Sequence, residues 1–279
     1  MKNTIALVFD FDETLAADST TAFLKSLGID VHDFWRHKVD KLLDEGWDPI
    51  PAYLFQMIRE SKNGTLITQK NLQAFGKKVA FYKGVPTLFT TLRKHITRHD
   101  DTQLEFYIIS SGIGDIIRHT KIARHFTDIW SSDFAYDDEG QILFPRKIIS
   151  FTDKTRYLFS ISKGLIGEEY RNKPFEVNEK VEKKDGFRIP FSQMIFVGDG
   201  MTDVPCFALM KKMNGLPIAV YDPKNPSKWE RAWKFLQQDR VKNLVPADYS
   251  NHSALVNSLK MAINSIVQRI ELSKKMYPG

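Results

Sequence analysis

Short apolar runs that stop abruptly on small or acidic residues set the main rhythm of this chain. Residues 5–9 run into Asp10 and Asp12, 104–109 into Ser110, Ser111 and Gly112, and 194–197 into Gly198, Asp199 and Asp203. A strand buried on both faces of a parallel sheet reads this way, and its polar stop marks the edge of the sheet. Runs at 216–220 and 244–245 and a short one around Ile129 and Trp130 continue the series. Between them the apolar spacing changes to three and four, as in helices with one buried face. Leu88, Phe89, Leu92 and Ile96 follow that spacing, as do Tyr157, Leu158 and Ile161 behind a cap at Thr152 or Asp153. Pro205 opens another helix, 226–236 form one more, and Leu255, Leu259, Ile263, Ile266 and Ile270 mark the last. Strands alternating with helices predict an α/β fold, a Rossmannoid core with a parallel sheet and helices over it.

Residues 18–83 break the alternation. Val31, Phe34, Trp35, Val39, Leu42 and Leu43 read as one buried helix face. Asp48 and Pro49 open a second helix burying Tyr53, Leu54, Met57 and Ile58, and a third begins near Thr68 with Leu72, Phe75 and Val79 inward. Gly84 and Pro86 end the pattern. The expected organisation is a core built from 1–17 and 84–279, with 18–83 as a helical cap domain inserted after the first strand. Within the core, about 133–145 reads as a β-hairpin flap around Asp138, Glu139 and Gly140. About 167–190 reads as a polar insertion whose lysines and glutamates suit a surface excursion better than a partner-binding arm.

Composition narrows the field. The 279 residues carry a formal charge of +6, spread thinly with no long basic block, so no nucleic-acid partner is expected. The single cysteine, Cys206, excludes an internal disulfide and a multi-cysteine metal cage, and reads as a small buried side chain in a reducing compartment. The apolar run before Asp10 is too short for the core of a signal peptide, and no stretch approaches the length of a membrane span. The expectation is a cytoplasmic protein with no membrane partner; nothing in the pattern fixes an oligomeric state.

The polar stops carry the candidate chemistry. Side chains alternate along an extended strand, so Asp10 and Asp12 point to one side and Phe11 away. Open α/β sheets bind ligands at the carboxyl ends of their strands. Three strand tips there offer Asp10 and Asp12, Ser110, and Asp199 with Asp203. Oxygen donors in that number, without histidine or cysteine, suit Mg²⁺, which leaves room for water and a substrate phosphate. A carboxylate can attack phosphorus when the charge it faces is neutralised.

Taken in order, Asp10-Phe11-Asp12-Glu13-Thr14, Ser110, a lysine and Gly198-Asp199-Gly200-Met201-Thr202-Asp203 resemble the four motifs of the haloacid dehalogenase (HAD) superfamily. With the helical cap after the first strand, the likeness covers nearly the whole chain and is similar to the phosphoserine phosphatase group. The resemblance implies a HAD-like core, Asp10 as nucleophile, and Asp12 as the acid and base. It implies phosphate contacts from Thr14, Ser110, Ser111 and Gly112, and Mg²⁺ held by Asp10, Asp12 (through its carbonyl) and Asp199 with support from Asp203. An aspartate at position 12 implies phosphate chemistry rather than dehalogenation. The phosphate-binding lysine is Lys154 by its place at the start of a helix, with Lys147 and Lys163 as alternatives; the polar insertion accounts for its long separation from Asp199.

The function implied is a Mg²⁺-dependent phosphatase that hydrolyses a small soluble phosphomonoester through an aspartyl phosphate. The alternatives are a protein phosphoserine phosphatase, whose opening motif is similar, and a regulatory or binding protein on the same fold. Other residues carry plainer expectations. Asp18 and Ser19 read as a helix cap. Phe23, Trp35, Trp47 and Tyr53 read as core rather than pocket, and His95, His99, His119 and His125 as solvated positions. Glu13 is expected to point away from the metal and to tolerate replacement. The hairpin is expected to touch substrate from the side opposite the cap, or simply to shield the site.

Overall fold

The computed structural model describes residues 3–99, 101–181, 186–241 and 243–276. In chain order the elements are β1 (Asn3–Phe9), α1 (Ser19–Ser26), a π-helix (Asp33–Val39), α2 (Asp40–Asp44), α3 (Pro49–Lys62), α4 (Gln69–Gly76), α5 (Val85–Ile96), β2 (Thr102–Ile113) and α6 (Gly114–Ile117). They continue with β3 (Asp128–Tyr136), β4 (Ile142–Lys147), α7 (Asp153–Lys163), β5 (Met194–Gly198), α8 (Val204–Lys212), β6 (Leu216–Tyr221), α9 (Pro226–Gln237), β7 (Leu244–Pro246) and α10 (Ala254–Met276). The strands form one sheet in the order β4-β3-β2-β1-β5-β6-β7. All neighbours are parallel except the β3–β4 pair. The fold is α/β, as the alternation predicts. Among the described residues, no helix is long and apolar enough to cross a membrane.

The alternation along β1 decides which layer each helix occupies. Ile5, Leu7 and Phe9 share a core with Val85, Leu88, Phe89 and Leu92 of α5 and with Leu259, Ile263 and Ile266 of α10. Ala6 and Val8 share the opposite core with Tyr157, Leu158 and Ile161 of α7 and Cys206, Phe207 and Met210 of α8. Phe11 joins the first core, so Asp10 faces the α7 and α8 side. Cys206 is fully buried and unoxidised, and burial pushes its thiol up. Chain order reverses at β1, with β2 on one side and β5 on the other, which places a crevice at the carboxyl ends of these three strands.

Residues between β1 and α5 have their own hydrophobic cluster, built on Phe23, Phe34, Val39, Leu54, Met57 and Leu72. The expected helix face from Val31 to Leu43 contains a π turn instead of continuous α-helix. Phe34 and Val39 are both buried although five residues apart, and a π turn brings such a pair onto one face. Likewise α4 stops at Gly76, and Val79 packs from the following loop.

Two elements are longer than the sequence pattern suggests. Strand β2 continues through Ser110, Ser111 and Gly112, and its register against β3 shifts between Ile109 and Ile113. Ile109 faces Trp130 and Ile113 faces Ser132, so β2 carries two extra residues there and bulges towards the crevice. Strand β3 pairs with β2 through its first half and with β4 through its second, making the hairpin an extension of the sheet. That hairpin packs on the helical block and not opposite it. Ile142 N–H donates to Ile67 carbonyl at 3.0 Å, Gln69 N–H to Gly140 carbonyl at 2.8 Å, and Phe134 and Ile142 join the block's apolar cluster. The polar insertion forms short 3₁₀ turns at Glu168–Tyr170 and Glu176–Asn178; its residues 182–185 lie outside the described residues.

Candidate active site

The crevice gathers acids from two adjacent strand tips. Asp10 follows β1 and hydrogen-bonds through its own N–H to Val197 carbonyl of β5 at 2.9 Å. Asp199 and Asp203 follow β5. Oxygens of Asp10, Asp199 and Asp203 lie within 4.8 Å of one another. Asp203 is fully buried, and its Oδ2 accepts the N–H groups of Asp199 at 3.1 Å and Gly200 at 3.2 Å, shaping the loop around its own carboxylate. A side chain at Gly198 would strike that carboxylate, so only glycine lets it fold back against the strand.

Lys154, fully buried near the start of α7, is the cation in this set. Its Nζ lies 3.0 Å from Asp10 and 2.7 Å from Asp203, and donates to the Thr202 hydroxyl at 3.1 Å. Burial works against its charge, but the two carboxylates outweigh it and hold the ammonium well above the ordinary lysine range. Burial likewise pushes Asp203 up to about 6, against the pull of Lys154. Burial and the Asp203 and Asp10 carboxylates push Asp199 well above the usual carboxylate range. The other two lysines stand elsewhere. Lys163 donates to the carbonyls of Val177 and Glu179, and Lys147 lies over the Tyr157 ring.

Asp12 stands beside this cluster, where the chain leaves for the helical block. Its Oδ1 accepts the N–H of Ser19 at 2.8 Å. Burial and the neighbouring Asp18 carboxylate push its pKa up to about 8. Asp18 caps α1 by accepting the N–H of Thr21 at 2.9 Å, as the sequence suggests, and Ser19 additionally tethers Asp12. The β2 bulge supplies the facing wall. Ser110 Oγ accepts Gly112 N–H at 3.0 Å, while the buried hydroxyls of Ser111 and Ser19 have no partner among the described residues. A Cβ on Gly112 would collide with Asp12 Oδ2, so that glycine lets the bulge approach the acid. Thr14 Oγ1 lies 3.5 Å from Asp199 Oδ1, and its carbonyl accepts the Tyr249 hydroxyl at 2.8 Å. Asp10, Asp12, Thr14, Lys154, Asp199 and Asp203 thus lie together beside the β2 bulge of Ser110, Ser111 and Gly112, whereas Lys147 and Lys163 do not join them.

Two contributors escape a reading of the pattern. Tyr53, taken for core, is buried, but its hydroxyl donates to Ser111 carbonyl at 2.7 Å and so joins α3 to the bulge. Glu13 does not stand idle. It holds φ at 59°, accepts Asp18 N–H at 3.1 Å and accepts the Tyr82 hydroxyl at 2.8 Å. It thereby pins both ends of the helical block to the loop after β1, contacts that count against the expectation that it tolerates replacement. No local signal announces either role, since each depends on a partner far away in sequence. The remaining histidines take ordinary places; His95 contacts Asn264 and His125 stacks on Phe89.

The fold has counterparts among known proteins. Residues 5–217 match the family described as Putative Phosphatase. The chain belongs to that phosphatase family. An uncharacterised protein of Borreliella burgdorferi is 29% identical over 287 residues, covering 92% of this chain and 95% of its own. A HAD family hydrolase from Salmonella enterica serovar Typhi shares the fold, with a TM-score of 0.56, 14% identity, and 88% of this chain and 67% of that one covered. A phosphoserine phosphatase captured as a phospho-aspartyl intermediate analogue superposes with a TM-score of 0.55 at 14% identity, covering 93% of this chain and 99% of that one.

Proposed function

We propose that this phosphatase hydrolyses a small phosphomonoester through an aspartyl phosphate on Asp10, with Mg²⁺ as cofactor. The observation that carries the reading is the placement of Asp10 between a buried ammonium and two further carboxylates at adjacent strand tips. The donor set fits Mg²⁺. It is all oxygen, drawn from Asp10, Asp199, Asp203 and the Asp12 carbonyl, and burial together with the neighbouring carboxylates pushes Asp199 and Asp203 up, a cost that a divalent cation relieves. When bound, Mg²⁺ would lower the negative charge that the attacking carboxylate and the phosphoryl group present to one another.

The side chains divide the remaining work. The Asp10 carboxylate attacks phosphorus, and the bond to the ester oxygen breaks as that oxygen takes a proton from Asp12. A group titrating near 8 holds that proton at neutral pH, as a general acid must. Water then attacks the aspartyl phosphate, Asp12 removes its proton, and inorganic phosphate leaves with Asp10 restored. Lys154 fixes the Asp10 carboxylate and offers positive charge to the phosphoryl oxygens, while Ser110, Ser111, Gly112 and Thr14 line the side from which those oxygens are held. The helical block at 18–83 serves as the cap that excludes water during transfer, joined to the crevice by Tyr53 and to the hairpin by Ile67 and Gln69. The cap's place over the crevice favours a small substrate over a phosphorylated protein segment. A panel of small phosphomonoesters assayed with Mg²⁺ tests this. Turnover that disappears in Asp10→Asn supports it, and preference for phosphopeptides over every small ester overturns the substrate class.

A further inference from the structure

Lys147, at the end of β4, and the polar insertion after α7 meet at a second place, on the outer side of α7. The recess there is lined by Trp130, Lys147, Arg156, Tyr157, Ser160 and Arg171. Successive residues of an α-helix turn by about 100°, so Arg156 leaves α7 from the side opposite Lys154 and away from the acids. Lys147 Nζ lies 5.5 Å and the Arg156 guanidinium carbon 4.7 Å from the centre of one ring, that of Tyr157. Tyr157 stacks on Trp130 at 5.2 Å, and Trp130 on Tyr107 at 5.9 Å, so the floor of the recess is a rigid aromatic pile.

The cations are not balanced. Among the described residues no carboxylate pairs with Lys147 or Arg156; Arg156 donates only to the Tyr157 hydroxyl, at 2.5 Å. The nearby acids are engaged elsewhere. Asp133 accepts from Arg118, Asp128 and Glu168 face Arg171 at 3.7 Å and 3.4 Å, and Glu176 faces Lys173 at 3.5 Å. Burial, together with Arg118, Arg156 and Arg171, holds Lys147 below the ordinary lysine range despite Asp133. A half-buried ammonium surrounded by like charges gains most from an anion placed between them. The recess has a volume of about 60 Å³, room for a handful of water molecules or one oxyanion and too little for a nucleoside.

We propose that this recess binds a small tetrahedral oxyanion, inorganic phosphate, at a site separate from the acid cluster, with Lys147 and Arg156 as its cationic contacts. Calorimetric titration of inorganic phosphate into the metal-free protein in chelator tests it, because the acid cluster without a cation repels the anion. Wild type is expected to bind one phosphate per chain. Lys147→Gln/Arg156→Gln is expected to bind at least tenfold more weakly, and Lys147→Arg to retain binding. Sulfate should compete with phosphate, and a bulky aryl phosphate should not. The double variant should keep phosphatase activity with Mg²⁺ within twofold of wild type, which also reports its fold; Lys147→Gln alone carries the comparison if the double variant does not fold. Equal phosphate affinity in wild type and variants, or no binding by wild type at millimolar phosphate, overturns the proposal.

Discussion

The hydroxyl of Tyr53 donates to the carbonyl of Ser111 at 2.7 Å, joining a helix of the 18–83 block to the bulge of β2 that faces Asp12. The bond spans 58 positions of sequence and holds two of the crevice's walls together. Removing the hydroxyl leaves the ring packed but the carbonyl unpaired, a loss of about 1 kcal/mol. Tyr53→Phe is therefore expected to lower the unfolding midpoint only slightly while reducing kcat severalfold. Steady-state kinetics beside thermal unfolding of the same sample checks this; an unchanged kcat would separate the bond from turnover.

Glu13 yields a larger effect on folding. Its carboxylate satisfies Asp18 N–H and the Tyr82 hydroxyl, one from each end of the helical block. Glu13→Ala removes both acceptors and leaves the backbone strain as it was, since both residues carry a Cβ at this left-handed position. The expected cost is about 2–3 kcal/mol, read by urea unfolding. A change below about 0.5 kcal/mol, the size usual for surface substitutions, would show that the pin is dispensable.

Asp12 makes the metal-free protein sensitive to pH. Its pKa in the folded chain is about 8 against an ordinary 3.8, so the folded state binds the proton more tightly than the unfolded one. The contribution of Asp12 to stability is therefore fully present below pH 4 and is lost as pH rises towards 8. Asp12→Asn removes this dependence while keeping an oxygen for Ser19 N–H. In chelator at pH 8 the variant is expected to melt a few degrees above wild type, to match it more closely at pH 5, and to lose most of its phosphatase activity. Parallel melting curves that fall equally with pH would contradict the assignment.

Asp10, Asp199 and Asp203 repel one another, so a cation that joins them stabilises the folded chain by mass action. At 100 times its dissociation constant, Mg²⁺ is expected to add about 2.7 kcal/mol. Asp199→Asn is expected to remove most of that gain, whereas Lys147→Gln leaves it intact. Thermal unfolding across a Mg²⁺ titration reads both. Equal gains in wild type and Asp199→Asn would place the cation elsewhere.

What could be read from sequence followed from local periodicity. The period of two along 5–11 is enough to place Phe11 in one core and turn Asp10 to the other side, and glycine-rich stops mark where strands end. The bulge at Ser110–Gly112 was not legible, because a register shift depends on the neighbouring strand as well as its own. Nor was the π turn before Val39, where a five-residue spacing hid within three-and-four spacing. The partners of Tyr53 and Glu13 were invisible for the same reason. A hydroxyl or carboxylate carries no mark of the carbonyl or hydroxyl it will meet 58 or 69 positions away.

The central claim is that the phosphoryl group passes through the Asp10 carboxylate. Rapid acid quench of enzyme, Mg²⁺ and a phosphomonoester, followed by reduction with tritium-labelled borohydride and peptide mapping, reads it directly, because reduction releases the phosphate and leaves tritium on the carbon that carried it. Label is expected on the peptide containing Asp10, with homoserine at that position after reduction, and no label in Asp10→Asn. Undiminished hydrolysis by Asp10→Asn, or label on a different residue, would contradict it.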